Sequence, residues 1–378
     1  MAFDPEDTVF LLPGPVKMHP RVLQAMARPA MAHRSPEFAA LNDRLLARLR
    51  TLIGTPRVAV LTGSGTAGMD AAVSNLVHWG DRAVGLENGK FGERMAALVT
   101  RYAGERAVRI QAPWGSPFDL APVEDALEEG AVAVAFTLNE TSTAVMNQGQ
   151  ELAALCRKHG ALSIADTVTA TGSVPVPMDT WGLDVSIVGS QKCIGGPPGL
   201  CFVGLSERAY EALDSPSLYL DLRRYVDRAE QDAQTPFTPA VPLHAACVEA
   251  LELVFAEGLE ARYARTRRLA KACRAAAEAA GLEMPAAPAA RSDTVTAIRY
   301  PEGIQDPDVR PALRERFGVV VAGAQGPWKG RVVRIGHMAQ TTWAELAAGW
   351  AALDAALRAA GHRLPEGAVE AALVEHAP

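Results

Sequence analysis

A lysine and an aspartate occupy positions where the sequence predicts reactive side chains. Lys192 follows the apolar run at residues 185–189 and precedes the Gly/Pro-rich segment 195–199. Burial and nearby cations lower the pKa of a lysine, and the free amine can then form a Schiff base with a carbonyl group. Asp166 ends a second apolar run, 161–166. Since ligands bind at the carboxyl ends of strands in open α/β sheets, both side chains are expected at one site.

Each of these residues also has an ordinary structural interpretation. A single lysine is often a solvated surface residue, and an aspartate at a strand end often caps a turn or a helix. The argument therefore depends on what else the chain places near them.

A glycine-rich segment supplies a candidate phosphate site. Residues 63–68 read Gly-Ser-Gly-Thr-Ala-Gly after the apolar run 57–62, and a helix is expected from about Met69. Free backbone N–H groups at a helix N-terminus bind phosphate, and the hydroxyls of Ser64 and Thr66 add donors. The same string matches the dinucleotide pattern G-x-G-x-x-G, with Glu87 as a ribose-binding acid, so a nicotinamide dehydrogenase is an alternative.

Asp166, Lys192 and the glycine-rich segment together match the needs of pyridoxal phosphate. The helix end would hold the phosphate, the lysine would bind the aldehyde carbon, and the carboxylate would keep the ring nitrogen protonated. Arg334 adds a charged residue inside the apolar run 332–335. A buried guanidinium needs a partner, which is either an internal carboxylate or a substrate carboxylate bound through two parallel hydrogen bonds.

Eight short sequence motifs occur in order along the chain. They are Leu12-Pro-Gly-Pro15, Met31-Ala-His-Arg-Ser-Pro-Glu37, Gly63-Ser-Gly-Thr66, Asn139-Glu-Thr-Ser-Thr143, Ala165-Asp-Thr-Val168, Gly189-Ser-Gln-Lys192, Pro197-Pro-Gly199 and Val333-Arg-Ile-Gly336. Gly-Ser-Gln-Lys followed by Pro-Pro-Gly is the most specific of them. Through these motifs the sequence resembles the class V aminotransferases of fold type I, particularly the alanine–glyoxylate/serine–pyruvate group.

The resemblance implies a role for each matching residue toward the cofactor pyridoxal 5'-phosphate. Lys192 and Asp166 would be catalytic, and Arg334 and Gly14 would bind the substrate, with Arg334 on its α-carboxylate. The expected cofactor ligands, besides that pair, are Ser64, Gly65, Thr66 and Gln191 at the phosphate, Phe91 and Val168 on the two ring faces, Thr141 near the ring hydroxyl, and Thr238 from the neighbouring subunit. No metal is expected.

The implied reaction moves an amino group from alanine or serine to glyoxylate or pyruvate in a ping-pong cycle. The alternative is another class V enzyme. It would be either an aminotransferase that acts on an aminophosphonate or aspartate, or a lyase like cysteine desulfurase. Desulfurases usually carry His before the lysine, where this chain has Gln191. The family also implies a homodimer with shared active sites.

Strand and helix patterns predict how these residues are positioned. Strands are expected at 57–62, 82–87, 131–137, 161–166, 185–189 and 200–205, with helices between them. Continuous apolar strands indicate a mostly parallel sheet covered on both faces. We expect an N-terminal arm (1–15), a large α/β domain (16–255) with a seven-stranded sheet, and a smaller α+β C-terminal domain (256–378).

Bulk properties limit the other classes of function. The chain has 378 residues and a net charge of −6, which does not favour a nucleic-acid surface. No apolar run approaches the length of a membrane span, and the acidic start lacks a signal-peptide pattern, so a cytoplasmic protein is expected. The five cysteines are scattered without C-x-x-C spacing, which favours neither disulfides nor a zinc site.

Overall fold

A computed structural model describes residues 8–378. Fourteen strands are present in this part of the chain. They are β1 (Val9–Phe10), β2 (Arg57–Thr62), β3 (Ala83–Glu87), β4 (Ala107–Gln111), β5 (Ala133–Thr137), β6 (Asn139–Glu140), β7 (Val145–Met146), β8 (Leu162–Asp166), β9 (Val185–Gly189), β10 (Leu200–Leu205), β11 (Val295–Arg299), β12 (Val319–Val320), β13 (Ala322–Gly323) and β14 (Val332–Gly336).

Fourteen α-helices connect these strands within the described residues. They are α1 (Pro20–Met26), α2 (Pro36–Ile53), α3 (Gly65–Leu76), α4 (Lys90–Ala103), α5 (Ala121–Glu128), α6 (Gly149–Lys158), α7 (Met178–Trp181), α8 (Glu207–Glu211), α9 (Leu222–Asp232), α10 (Val241–Glu257), α11 (Leu259–Ala279), α12 (Asp306–Phe317), α13 (Trp343–Ala359) and α14 (Ala368–Glu375). None of them is both long and apolar enough to cross a membrane.

The large domain is built on a seven-stranded sheet in the order β2-β10-β9-β8-β5-β3-β4. Only β10 runs antiparallel to its neighbours. Side chains alternate along β2, so that Val58 and Val60 pack with α2 and α10 on one face while Ala59 and Leu61 pack with α3 and α4 on the other. The predicted mostly parallel seven-stranded sheet, covered on both faces, is therefore confirmed.

The smaller C-terminal domain contains an antiparallel sheet in the order β11-β14-β13, with Arg334 on its central strand. Helices α11, α12 and α13 contribute to its apolar core, in which Trp350 is fully buried. The α+β character expected of this region is confirmed. The apolar segment 319–322 does not form one continuous strand, because Val319–Val320 pairs with β1 whereas Ala322–Gly323 pairs with β14.

The segment before α1 is an extended arm that contacts both the small domain and the large domain. Strand β1 lies parallel to β12, and Leu11 is fully buried in the core of the small domain. Five residues further on, the arm crosses the large domain, where the Val16 N–H donates to the Gln191 carbonyl. The arm therefore connects the small domain to the segment that carries Lys192.

Helix α3 begins at Gly65, four residues earlier than the sequence pattern suggested. Ser64 is its N-cap residue, so only Gly63 and Ser64 separate it from β2. A side chain at Gly65 would not fit, since a Cβ there would lie 2.8 Å from Val168 Cγ2. Glycine is a poor helix former in general, which is why the start was placed too late.

Candidate active site

Asp166 is the last residue of β8, and its carboxyl is buried at the carboxyl edge of the large sheet. Among residues 8–378, its one hydrogen bond comes from the Val168 N–H to Oδ1, at 3.0 Å. Burial raises the pKa of Asp166 to about 6, and the charge of Glu140 acts in the same direction. The carboxyl thus keeps an oxygen available for a further donor.

Lys192 lies three residues beyond β9, the strand that pairs with β8. Its Nζ donates to the Pro13 carbonyl of the arm, at 2.9 Å. Burial lowers the pKa of Lys192 to about 8, and the charge of Arg334 contributes to this shift, whereas Asp166 opposes it. A lysine with this pKa has a far larger neutral fraction near pH 7 than an ordinary lysine and is a better nucleophile.

The N-terminus of α3 lies at the same edge, because β2 and β9 both pair antiparallel with β10 and so share a direction. Ser64 makes no capping hydrogen bond with its side chain, and the first N–H groups of a helix have no acceptor within it. Thr66 Oγ1 accepts from Arg94 Nη1 at 2.9 Å. By contrast, Glu87 is paired with Arg109 and Gln111 of the edge strand β4, so the predicted ribose-binding acid is already occupied.

Val168 and Gln191 lie beside this helix end. A Cβ at Gly189 would lie 3.1 Å from Val168 Cγ1 and 3.3 Å from Gln191 Oε1. The same Oε1 is buried and has no hydrogen-bond partner within the described chain. Buried polar atoms are normally satisfied, so this amide marks a place for a polar ligand.

Phe91 and Thr141 come from neighbouring strand ends. The half-buried ring of Phe91, at the start of α4, has the Arg94 guanidinium over it, 5.2 Å from the ring centroid. Thr141 follows β6 and is buried. Its carbonyl oxygen accepts from Arg334 Nη1 at 2.8 Å, so the small domain contacts the large one here.

Arg334 is buried on the central strand of the small sheet. Its guanidinium also donates to the Gly323 carbonyl, from Nε at 3.1 Å and from Nη2 at 2.8 Å. No carboxylate in residues 8–378 pairs with it within 4.0 Å, so the interpretation as an internal salt bridge is wrong. Burial lowers the pKa of Arg334 to about 10, and the charge of Glu140 counteracts this effect.

Two predicted residues have special surroundings. Gly14 has a φ of +95°, and a Cβ there would lie 2.1 Å from Lys192 Cδ, so only glycine lets the arm pass over the lysine.

Thr238 is exposed and lines a groove of about 330 Å³ together with Met31 and His33. Within the described part of the chain, no hydrogen bond joins Thr238 to Lys192 or Asp166.

Sequence reasoning missed the functional potential of two charged residues. Arg94 contacts both Thr66 and Phe91, and its charge acts on the pKa of Asp166 and of Lys192. Glu140 is fully buried and acts on Asp166 and Arg334. Glu140 lies within one of the motifs that carried the family resemblance. Its being the charged residue in a stretch of otherwise small polar side chains was the feature of the sequence that could have revealed it.

Comparisons with known proteins define the class to which this fold and site belong. Residues 18–347 match the model of the family described as Aminotransferase class-V, which is most of the chain. The chain belongs to this family and is a class V aminotransferase that depends on pyridoxal 5'-phosphate. The expected fold type I architecture is confirmed by the same comparisons.

Individual relatives differ in their substrates. An uncharacterized aminotransferase of Methanocaldococcus jannaschii is 39% identical, with 98% of each chain covered. An L-aspartate–glyoxylate aminotransferase of Paracoccus denitrificans is 33% identical over 97% of this chain and 95% of its own. The crystal structure of pyridoxamine–pyruvate aminotransferase from Mesorhizobium loti superposes with a TM-score of 0.93 at 30% identity, covering 99% and 98% of the two chains.

The residues present fit the cofactor. The free helix end at Gly65 is suited to a phosphate group, and the Gln191 side chain would donate to it from its NH₂ group, since the orphaned amide oxygen is itself an acceptor. Asp166 has an unused carboxyl oxygen for the ring N–H, and Lys192 has a lowered pKa at the same edge of the sheet. These are the contacts that a phosphorylated pyridine aldehyde requires.

Proposed function

We propose that this aminotransferase takes the amino group of alanine or serine and gives it to glyoxylate or pyruvate. The acceptors occur in the names of relatives, namely glyoxylate for the Paracoccus enzyme and pyruvate for the Mesorhizobium enzyme. The observation that carries the proposal is Arg334, a buried guanidinium bound only to carbonyl oxygens beside the lysine. Its charge lacks a carboxylate partner, and the α-carboxylate of a small amino or oxo acid would supply one.

The remaining site residues are assigned to the cofactor. Ser64, Gly65, Thr66 and Gln191 would hold the phosphate, and Thr141 would lie near the ring hydroxyl. Phe91 and Val168 would pack on the two faces of the ring. When bound, the cofactor supplies an electron sink that makes the Cα–H bond of an amino acid acidic.

Lys192 and Asp166 would carry the chemistry. Lys192 first holds the cofactor covalently and, once displaced by the substrate amine, takes the proton from Cα as a free amine. Its lowered pKa increases the neutral fraction at physiological pH relative to an ordinary lysine. Asp166 would accept the ring N–H and keep that nitrogen protonated. Arg334 would orient the substrate through its carboxylate, so that the Cα–H bond faces Lys192.

A homodimer belongs to the same proposal. Thr238 is exposed and lines a groove to which Lys192 does not contribute, which suits a residue that reaches the phosphate of a second copy. We expect the protein to be dimeric in solution, and Thr238→Ala to lower cofactor affinity without changing the oligomeric state. A monomer with full affinity for the cofactor would contradict this assignment. A cytoplasmic location stays a prediction.

Aspartate as amino donor is the second candidate. Arg94 is a further cation at the site, and none of the carboxylates in residues 8–378 pairs with it within 4.0 Å. A second substrate carboxylate could therefore bind it. Arg94→Gln should raise KM for aspartate by a larger factor than KM for alanine if this candidate is correct, and equal factors for the two donors would contradict it.

The direct test is a pair of half-reactions followed by absorbance. Purified protein loaded with pyridoxal phosphate should be yellow, lose that colour with alanine or serine, and regain it with glyoxylate. Aspartate in place of alanine tests the second candidate in the same cuvette. Lys192→Ala should bind cofactor without turnover. Colour that persists with all three amino acids would contradict the proposed donors.

A further inference from the structure

Helix α4 begins without a capping residue of its own. Its N-cap residue is Gly89, which has no side chain, and a Cβ there would lie 2.4 Å from Ser142 Oγ and 2.5 Å from Glu140 Cδ. The free N–H groups bind these two side chains instead. Lys90 N donates to Ser142 Oγ at 2.9 Å, while Phe91 N and Gly92 N donate to Glu140 Oε2 at 2.9 and 2.8 Å.

The other carboxyl oxygen of Glu140 is also surrounded by donors. Ser142 donates to Oε1 from its N–H at 3.0 Å and from its hydroxyl at 2.6 Å. The hydroxyl hydrogen is free to donate here, because only the oxygen of Ser142 is used in accepting from Lys90 N. Burial raises the pKa of Glu140, whereas the hydrogen bonds from Ser142, Gly92 and Phe91 act to lower it. The four donors and the positive end of the helix dipole therefore favour the ionised form.

Glu140 is linked on its other side to the substrate arginine. The next residue, Thr141, accepts from Arg334 Nη1 with its carbonyl oxygen. The turn that presents this carbonyl is closed by the two Ser142 bonds to Glu140. The negative charge of Glu140 also favours the charged form of Arg334. One carboxylate thus touches the backbone that carries Phe91 and the turn that holds Arg334.

We propose that Glu140 is a positioning residue that sets both the ring of Phe91 and the guanidinium of Arg334, so that cofactor stacking and substrate-carboxylate recognition depend on one buried carboxylate. The inference rests on the proposed function, which assigns Phe91 to the cofactor and Arg334 to the substrate. It extends that function by connecting two sites that lie on different domains.

The test is Glu140→Gln, which keeps the shape and removes the charge. A glutamine oxygen can still accept from Phe91 N and Gly92 N, but its NH₂ group then faces the Ser142 N–H. Loss of a charged hydrogen bond of this kind should raise both the Kd of the apoprotein for pyridoxal phosphate and KM for alanine by about tenfold or more. The rate with ethylamine, which has no carboxylate, should follow the cofactor occupancy alone.

Thr342→Ala is the matched control for a simple capping role. Thr342 forms a capping box with Glu345 at the start of α13 in the small domain. Its loss should lower the thermal stability comparably without changing either constant. If Glu140→Gln lowers stability as Thr342→Ala does and leaves Kd and KM unchanged, Glu140 is only a helix cap and the inference is wrong.

A second variant keeps the test decisive if Glu140→Gln does not fold. Ser142→Ala retains the carboxylate and removes the hydroxyl donor, and it should raise both constants by a smaller factor; unchanged constants would overturn the inference. Failure of the proposed function has a different signature. In that case wild-type protein binds the cofactor but does not react with alanine, while the effect of Glu140→Gln on cofactor Kd remains measurable.

Discussion

Asp166 is buried at a place where its ionised carboxylate is unfavourable unless a bound ligand donates a hydrogen bond to it. The carboxyl is buried with a single N–H donor from Val168, whereas Asp184, equally buried, accepts from Ser163, Ser206 and Arg208. Donors stabilise a buried carboxylate, and their shortage leaves it destabilised. Asp166 therefore has hydrogen-bonding capacity left for a ligand, whereas the carboxylate of Asp184 is already bound by donors of the protein.

Asp166→Asn should therefore stabilise the apoprotein while abolishing most activity of the loaded enzyme. The folded pKa of about 6 is above the ordinary value of 3.8, so folding favours the protonated acid, and wild-type stability falls as pH rises from about 4 to 6. Above pH 6 the variant should be more stable by up to about 3 kcal/mol, with no difference below pH 4.

Urea denaturation of both apoproteins at pH 4 and pH 7.5 measures this difference. Asp184→Asn is the control, and it should lower stability because its donors would lose a charged acceptor. A stability gain for Asp184→Asn, or equal loss for both variants at pH 7.5, would contradict the assignment.

Arg334 gives a second prediction at this scale. Arg334→Ala should raise KM for alanine about a hundredfold, since a charged bidentate contact contributes about 1.5–3 kcal/mol. Arg334→Lys should recover only part of this loss, because an ammonium group is not bidentate. Steady-state kinetics decide the matter, and an unchanged KM in both variants would refute the assigned role.

The residues that sequence reasoning found share one property. Asp166, Lys192 and Arg334 are charged groups within or next to apolar strands, and such placement is visible in the sequence alone. Glu140 and Arg94 escaped because their importance depends on contacts between separate strand-end segments. Spacing along one segment carries no information about those contacts.

At the scale of elements, the arm at residues 9–16 positions the lysine as much as β9 does. The arm supplies the Pro13 carbonyl for Lys192 Nζ and passes the lysine side chain at Gly14. Neither contact can be inferred from the extended, proline-rich sequence, which indicates only a rigid turn.

Gly14→Ala should displace the Lys192 side chain, because the added methyl group conflicts with it and the backbone is strained. The rate and the affinity of cofactor binding should each fall about tenfold or more. Gly80→Ala is the matched control. Gly80 has a similar φ of +91°, but a Cβ there would meet nothing within 4 Å. It should lose about 1 kcal/mol of stability from strain and keep full activity. Equal activity of both variants would show that the arm does not position the lysine.

Among the regular elements, the apolar strands were predicted well and several others were missed. Strands β2, β9 and β10 have the predicted bounds because their residues are buried on both faces. Edge strand β4 was missed since most of its side chains are partly exposed. Helix α10 was not identified because it is apolar over much of its surface, which obscures the helical period.

For the whole molecule, the arm couples the two domains. Leu11 is fully buried in the small domain, next to Gly349 of α13, and its neighbours in the chain reach Lys192. The proposed boundary at residue 255 falls within α10, two residues before that helix ends. The sequence could not place the arm in the small domain, since the two segments are far apart along the chain.

Leu11→Ala should cost about 2–5 kcal/mol of stability, as expected for a large-to-small change in a core, and should also slow cofactor capture by Lys192. Leu313→Ala is the control, because Leu313 lies in the same core on α12 and outside the arm. It should destabilise comparably without changing the capture rate. The same capture rate in both variants would mean that the arm is not the coupling element.

The pairing of β1 with β12 has a consequence for biosynthesis. The arm is synthesised long before its strand partner and most of the core that buries Leu11, because these segments are far apart along the chain. Closing so long a loop is slow relative to local folding. During synthesis the large sheet can therefore form with Lys192 still uncovered, and the carbonyl of Pro13 reaches the amine only after β12 has been made.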